Sequence, residues 1–131
     1  MPLALDHLGI AVRDLDRACR FYAALGLVPA AREEIAHEQV QVVMLPLAAG
    51  RIELLQPTAP SSPVARFLER RGEGLHHIAL QVSDLAATAR CLREQGVHLV
   101  QEQIQTGAGG HRYLFVHPAS SGGVLIELVE S

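Results

Sequence analysis

The chain has 131 residues and a mass of 14.1 kDa; hydrophobic residues make up 49%, Trp is absent, aromatics are 4%, and the net charge is −3. That composition supports one compact domain with a core of Leu, Val, Ile and Ala, and its mildly acidic balance excludes the basic footprint of a nucleic-acid-binding protein. No apolar run approaches the roughly 20 residues of a membrane span, no signal or transit segment is recognisable, and Cys19 and Cys91, without metal-type spacing, read as small apolar thiols of a reduced, cytoplasmic protein.

The first element is an alternating strand, Asp6-His7-Leu8-Gly9-Ile10-Ala11-Val12. Asp14 follows as a helix N-cap, and Leu15, Ala18, Cys19, Tyr22 and Leu25 form an apolar stripe at helical spacing before Gly26 supplies a left-handed stop. Strand-like runs come next at 39–47 and 51–56. A Pro/Ser-rich stretch, 57–63, leads into a short connector helix, 62–72, with Ser62 as N-cap, Pro63 at the tolerated first position and Gly72 as its end. Then the pattern starts again. His76-His77-Ile78-Ala79-Leu80-Gln81-Val82 repeats the first strand, with His77 standing 70 residues after His7. The same offset relates Asp84 to Asp14, Leu85 to Leu15 and Gly96 to Gly26, around a helix carried by Leu85, Ala89 and Leu92. Strand-like runs at 113–117 and 124–129 close the chain. Ile52-Glu53-Leu54 recurs as Ile126-Glu127-Leu128, now at an offset of 74, and the glycine-rich stretch 106–110 is expected to hold the extra residues. The order is β-α-β-β-β twice, about 4–57 and 75–130, as two modules of one domain.

The repeat sets four metal-competent side chains at matching places: His7 with Glu53, and His77 with Glu127. Strand alternation puts His7, Gly9 and Ala11 on one face and His77, Ala79 and Gln81 on its counterpart, with the bulky residues, His76 among them, on the faces packed under the helices. That selects His77 over His76. Glu53 and Glu127 lie inside strongly apolar strands, where a carboxylate costs several kcal/mol to desolvate unless paired, protonated or metal-bound. A lone strand histidine is more often a hydrogen-bonded core residue than a ligand. Duplication of the whole pair is what favours the metal. Two imidazoles and two carboxylates suit Zn, Co, Ni, Mn or Fe(II). Elsewhere the expectations are plainer. His37, among Glu33, Glu34 and Glu38, reads as a solvated loop residue and His98 as a surface residue. Arg66, Arg70 and Arg71 read as a solvated helix face. The stretch 106–112 lacks the Lys-Ser/Thr ending of a P-loop and is either a loop closing over a substrate or a hairpin connection. Gln41, His117 and Arg112 complete the candidate set as substrate contacts.

Paired modules of this kind resemble the vicinal oxygen chelate superfamily, which includes glyoxalase I, extradiol dioxygenases, fosfomycin-resistance proteins and methylmalonyl-CoA epimerases. Four stretches are similar to the epimerases: Asp6-His7-Leu8-Gly9-Ile10-Ala11-Val12, then Ser61-Ser62-Pro63-Val64-Ala65-Arg66-Phe67-Leu68 followed by Gly74-Leu75-His76-His77-Ile78-Ala79, then Leu114-Phe115-Val116-His117-Pro118, then Gly122-Gly123-Val124-Leu125-Ile126-Glu127-Leu128. The resemblance implies an α+β fold in which two tandem βαβββ modules form a cupped mixed sheet around one metal. Carried over by position, His7, Glu53, His77 and Glu127 are the ligands; the placement of Glu53 and Glu127 resembles that of glyoxalase I, and the two are expected to approach the substrate carbon from opposite sides as the catalytic pair. It further implies a cytoplasmic homodimer binding one divalent ion per chain, Co2+ by family habit with Zn2+, Ni2+ or Mn2+ as alternatives. The implied reaction interconverts (2R)- and (2S)-methylmalonyl-CoA; the alternative is a glyoxalase I-type lyase acting on a glutathione hemithioacetal. The chain departs from the epimerases in two places. Some of them carry a catalytic Glu at the position of Val42 and Gln at that of Glu53, and a lysine commonly stands where this chain has Ala119.

Overall fold

The computed structural model describes residues 3–130. The described chain forms an eight-stranded mixed sheet with three α-helices. The first module runs β1 (Ala4–Ala11), α1 (Leu15–Ala24), β2 (Glu33–Ile35), β3 (Val40–Pro46) and β4 (Arg51–Pro57). The connector helix α2 spans Pro63–Arg71, and the second module runs β5 (Gly74–Val82), α3 (Leu85–Glu94), β6 (Gln105–Thr106), β7 (Arg112–Val116) and β8 (Ile126–Glu130). The strand order is β2-β3-β4-β1-β5-β8-β7-β6, so each module contributes four strands in the same internal order. By packing, the described residues divide into two compact units, 7–76 and 77–130 with 3–6, the connector helix belonging to the first.

Each module follows from the same local rules. Asp14 and Asp84 are extended N-caps whose carboxylates accept from Arg17 N and Ala87 N, at 3.2 and 3.0 Å. Gly26 and Gly96 stop the helices at φ of +88° and +81°, where a Cβ would be strained. In the first module Ile10, Val12, Val43, Leu45, Ile52 and Leu54 pack beneath Leu15, Ala18, Cys19 and Tyr22 of α1. The second repeats this, with Leu80, Val82, Leu114, Val116, Ile126 and Leu128 beneath Leu85, Ala89 and Leu92 of α3. One face of each half-sheet is therefore spent on a helix, and the other carries the histidines. The connector is as expected: the buried Ser62 caps α2 by accepting from Val64 N, Pro63 occupies the first turn, and Gly72 ends it.

Two expectations need correcting, on the slippage and on Cys91, and one left open is decided. The four-residue slippage does not arise in the glycine-rich stretch. Met44 and Phe115, the antiparallel partners of Glu53 and Glu127, stand 71 residues apart, while the glutamates stand 74 apart. Three of the extra residues therefore lie in the β7–β8 connection, because it is there that a three-residue 3₁₀ turn (Pro118–Ser120) and the Gly122-Gly123 turn are accommodated. The stretch 106–112 is a hairpin connection: Gly107 N donates to His111 O across the β6–β7 pair. Cys91 does not act as an apolar filler; it is exposed and its Sγ accepts from Gln95 Nε2, whereas the half-buried Cys19 does pack against the first core cluster. Both thiols are free.

Candidate metal centre

In the first module β1 and β4 run parallel with Gly9 opposite Glu53. His7, two residues before Gly9 on the same face, thus sits diagonally across from Glu53, and its Nε2 lies 3.5 Å from Glu53 Oε1. The second module repeats the construction. Ala79 is opposite Glu127 on β5 and β8, and His77 Nε2 lies 3.0 Å from Glu127 Oε1. The small residues Gly9 and Ala11 share the His7 face of β1, and Ala79 shares the His77 face of β5, where it packs with Tyr113 and Val129. All four side chains are withdrawn from solvent, the exposures being 4 and 8% for the first pair and 3 and 12% for the second. One ligand atom from each of the four residues lies within 4.8 Å of the others.

The chemistry of this donor set fits a divalent ion. Two carboxylates held away from water within a few ångströms of each other repel, and neutral imidazoles do not offset their charge. A dication does, and mixed N/O ligation with spare coordination positions is what zinc- and cobalt-type ions accept. Among the described residues the cluster is the one His/Cys/Asp/Glu group of three or more that meets this geometry. His76, rejected on alternation, indeed points elsewhere: its ring packs edge-on against Phe67 of α2 at 5.0 Å.

The three candidate substrate contacts lie apart from this cluster. Gln41 pairs with Gln56 across β3 and β4, on the face that carries Val43 and Leu54 toward α1. Arg112 pairs with Glu130 across β7 and β8, on the face toward α3, and its Nη1 lies 2.8 Å from Glu130 Oε1. The two positions are equivalents. Gln56 Oε1 accepts from Leu15 N at 2.8 Å, and Glu130 Oε2 accepts from Leu85 N at 2.9 Å, so each β3/β4-type pair anchors the first turn of its module's helix. This feature of the repeat is invisible to residue identity, since the pairs are Gln–Gln and Arg–Glu. His117 caps the Pro118–Ser120 turn through Nδ1, which accepts from Ala119 N, and its ring stacks on His98 at 4.8 Å. His98 is exposed, as expected. His37 sits in the turn 36–38 with Nε2 3.8 Å from Glu38 Oε2, and Arg66, Arg70 and Arg71 are exposed.

Residues missed by the sequence reading flank the cluster on the second module. The Phe115 ring meets His77 edge to face at 5.4 Å, and Tyr113 braces Phe115 in turn at 5.6 Å. Alternation along β7 would have put both on one face, but only the β7–β8 register brings Phe115 opposite Glu127.

Comparison with known proteins fits this geometry. Residues 6–115 match the Glyoxalase/Bleomycin resistance protein/Dioxygenase superfamily. An ethylmalonyl-CoA/methylmalonyl-CoA epimerase of Cereibacter sphaeroides is 37% identical over 127 residues, covering 95% of each chain. The chain belongs to this superfamily, on its methylmalonyl-CoA epimerase branch. The crystal structure of methylmalonyl-CoA epimerase from Mycobacterium tuberculosis superposes with a TM-score of 0.93 at 45% identity, over 97% of this chain and 87% of that one. A methylmalonyl-CoA epimerase in complex with methylmalonyl-CoA and NH4+ gives 0.95 at 36% identity, over 100% and 96%. The mixed sheet with its three helices is thus the α+β fold of that superfamily. No described helix is long and apolar enough to cross a membrane.

Proposed function

We propose that this protein is a metal-dependent epimerase that interconverts (2R)- and (2S)-methylmalonyl-CoA. The observation that carries the reading is the duplicated His–Glu pair, with four ligand atoms inside 4.8 Å, in a chain similar over nearly its whole length to epimerases of that substrate. His7, His77, Glu53 and Glu127 hold one divalent ion, Co2+ by family habit. When bound, the ion supplies electrostatic stabilisation for the negative charge that develops on the substrate oxygens. The same reading makes the protein a cytoplasmic homodimer.

The carbon between thioester and carboxylate must lose a proton and regain one on its other face. Glu53 and Glu127 come from equivalent positions of the two repeats, and this supports a two-base arrangement. One carboxylate takes the C2 proton as the enolate forms, and the protonated carboxyl of the other gives its proton to the opposite face. Their protonation states are exchanged at the end of each turnover, and the reverse reaction restores them. The apolar surroundings of both strands keep bulk water from quenching the enolate without stereochemical control. Val42, opposite Leu55 on β3, supplies no carboxylate, so the acid–base work falls to the two glutamates.

Chiral analysis of the thioester tests the reading: metal-loaded protein should convert pure (2S)-methylmalonyl-CoA to an equal mixture of epimers. It should leave the methylglyoxal–glutathione hemithioacetal untouched. Conversion of the hemithioacetal with no epimerisation would replace this reading with the glyoxalase I-type alternative.

A further inference from the structure

The two modules stop their helices alike but clothe them differently. Leu27 N donates to Tyr22 O at 3.1 Å and Val97 N donates to Leu92 O at 3.0 Å, so the offset of 70 residues holds through both helix ends. On the outward side this offset sets Phe21, Ala24, Leu25 and Val28 against Cys91, Glu94, Gln95 and His98, and all eight are exposed. The second module finishes this surface with polar contacts of its own. Gln95 Nε2 donates to Cys91 Sγ, Arg93 Nη2 donates to the carbonyls of Gln101 and Glu102, and His98 stacks on His117. The first module presents hydrocarbon: Phe21 is 61%, Leu25 64% and Val28 77% exposed. Helical spacing aligns Leu25 with the buried stripe, but as the C-cap of α1 it faces water. Phe21 and Leu25 stand one turn apart, and the Phe21 ring is held edge-on against Tyr22 at 5.1 Å. After Val28 the chain stays exposed and apolar through Pro29, Ala30 and Ala31. The result is an apolar patch on the order of 400 Å², the size that marks an interaction site on a soluble protein.

We propose that this face of the first module is where two copies of the chain pair across a twofold axis, with their α1 helices antiparallel. The inference rests on the homodimer of the proposed function and not on the metal or the reaction. Two observations select a second copy as the occupant. The first is charge. Arg17 and Arg20 are exposed toward the amino end of the patch, whereas the last turn of α1 carries no basic residue to meet its own carbonyls. A twofold axis near Ala24 sets Arg20 of each copy beside the carboxyl end of the other copy's helix, the negative end of its dipole, and does so twice per dimer. A parallel arrangement sets the arginines of the two copies against one another. The second is area. A patch on the order of 400 Å² covered on both copies, with its polar rim, reaches the roughly 1,000 Å² in total that a specific interface needs. An aromatic and aliphatic centre flanked by arginine is also the composition in which binding energy concentrates at such interfaces.

Sedimentation equilibrium of the full chain over a concentration series tests this. The unaltered protein should be a dimer at micromolar concentration. Phe21→Ser combined with Leu25→Gln gives the first module the polarity of the second. It should raise the dimer dissociation constant at least about a hundredfold, because each of the two copies loses apolar burial. Both side chains face solvent in the single chain, so circular dichroism should be unchanged. Gln95→Ala, at the equivalent place in the second module, should leave the dissociation constant alone. Arg20→Gln should raise it between about three- and about thirtyfold, two contacts with a helix dipole being lost. Ala24→Cys, in a chain that also carries Cys19→Ala and Cys91→Ser, should form a covalent dimer under mild oxidation. An unaltered protein that stays monomeric would give the patch to a different partner and overturn the proposal. A dimer indifferent to the Phe21 and Leu25 changes would place the pairing surface elsewhere and overturn it equally. Wild-type affinity in Arg20→Gln, or no cross-link through Ala24→Cys, would overturn the antiparallel arrangement. None of these readouts uses a metal or a thioester, so their failure is distinct from a failure of the epimerase assignment.

Discussion

Replacing Glu130 tests whether the two modules are anchored alike and whether Arg112 is structural. Glu130 Oε2 accepts from Leu85 N, one of the first-turn N–H groups of α3 that no helical carbonyl can satisfy, while its Oε1 holds Arg112. A hydrogen bond to a charged acceptor is worth about 1.5–3 kcal/mol. A carboxylate at a helix N-terminus adds about 0.3–1 kcal/mol, and the half-exposed Arg112 ion pair adds at most about 1 kcal/mol. Glu130→Ala should therefore cost about 2–5 kcal/mol. Gln56→Ala removes a neutral bond from the equivalent Leu15 N and should cost about 0.5–1.5 kcal/mol. With an unfolding entropy of about 2.1 cal/mol/K per residue, each kcal/mol lowers Tm of a chain this size by roughly 3–4 °C. Urea and thermal unfolding of both variants, with Arg112→Met as the third, give the comparison. Arg112→Met should cost less than about 1 kcal/mol and leave kcat/KM for the thioester unchanged. A Gln56→Ala loss as large as that of Glu130→Ala would refute the charge argument. A large fall in kcat/KM for a well-folded Arg112→Met would refute the placement of Arg112 as a helix anchor.

Other expected outcomes follow from the same geometry. Glu53→Gln and Glu127→Gln should each abolish most epimerisation while keeping the wild-type circular dichroism; near-normal turnover in both would sink the two-base assignment. Metal at about one hundred times its Kd should stabilise the protein by about 2.7 kcal/mol over the chelated form, read as a concentration-dependent rise in Tm that His77→Ala removes. Ser62→Ala deletes a fully buried cap that accepts from Val64 N and donates to Glu38 O, and should cost about 1–2 kcal/mol in urea unfolding. Gln39 adopts a left-handed φ of 55° and its side chain accepts from Ser61 Oγ, so Gln39→Gly should change stability by less than about 1 kcal/mol, strain relief offsetting the lost bond, while Gln39→Val should be clearly destabilising by the same assay.

Much of this architecture can be read from the chain because its signals are local and repeated. Asp14 with Gly26, and Asp84 with Gly96, bracket each helix by capping chemistry alone, and alternation along β1 and β5 separates His77 from His76 without any three-dimensional information. The four-ligand set emerges because burial of a charged pair in two apolar strands demands compensation. What stays hidden depends on register. β2, only Glu33–Ile35, has a polar sequence because its first two residues face solvent, and β6 is two residues long. Gln41 and Arg112 look like free polar groups until strand pairing sets them beside Gln56 and Glu130 on the helix-bearing faces. The brace on His77 is equally unreadable, since Phe115 belongs to it only through its position opposite Glu127.

Proton–deuterium exchange at C2 of methylmalonyl-CoA in deuterated water, with the protein chelated and then loaded with Co2+, tests the central claim most directly. The account predicts exchange well above the uncatalysed rate with metal and its loss on chelation, with Glu53→Gln and Glu127→Gln each impaired. Absence of exchange in fully loaded, correctly folded protein would contradict it.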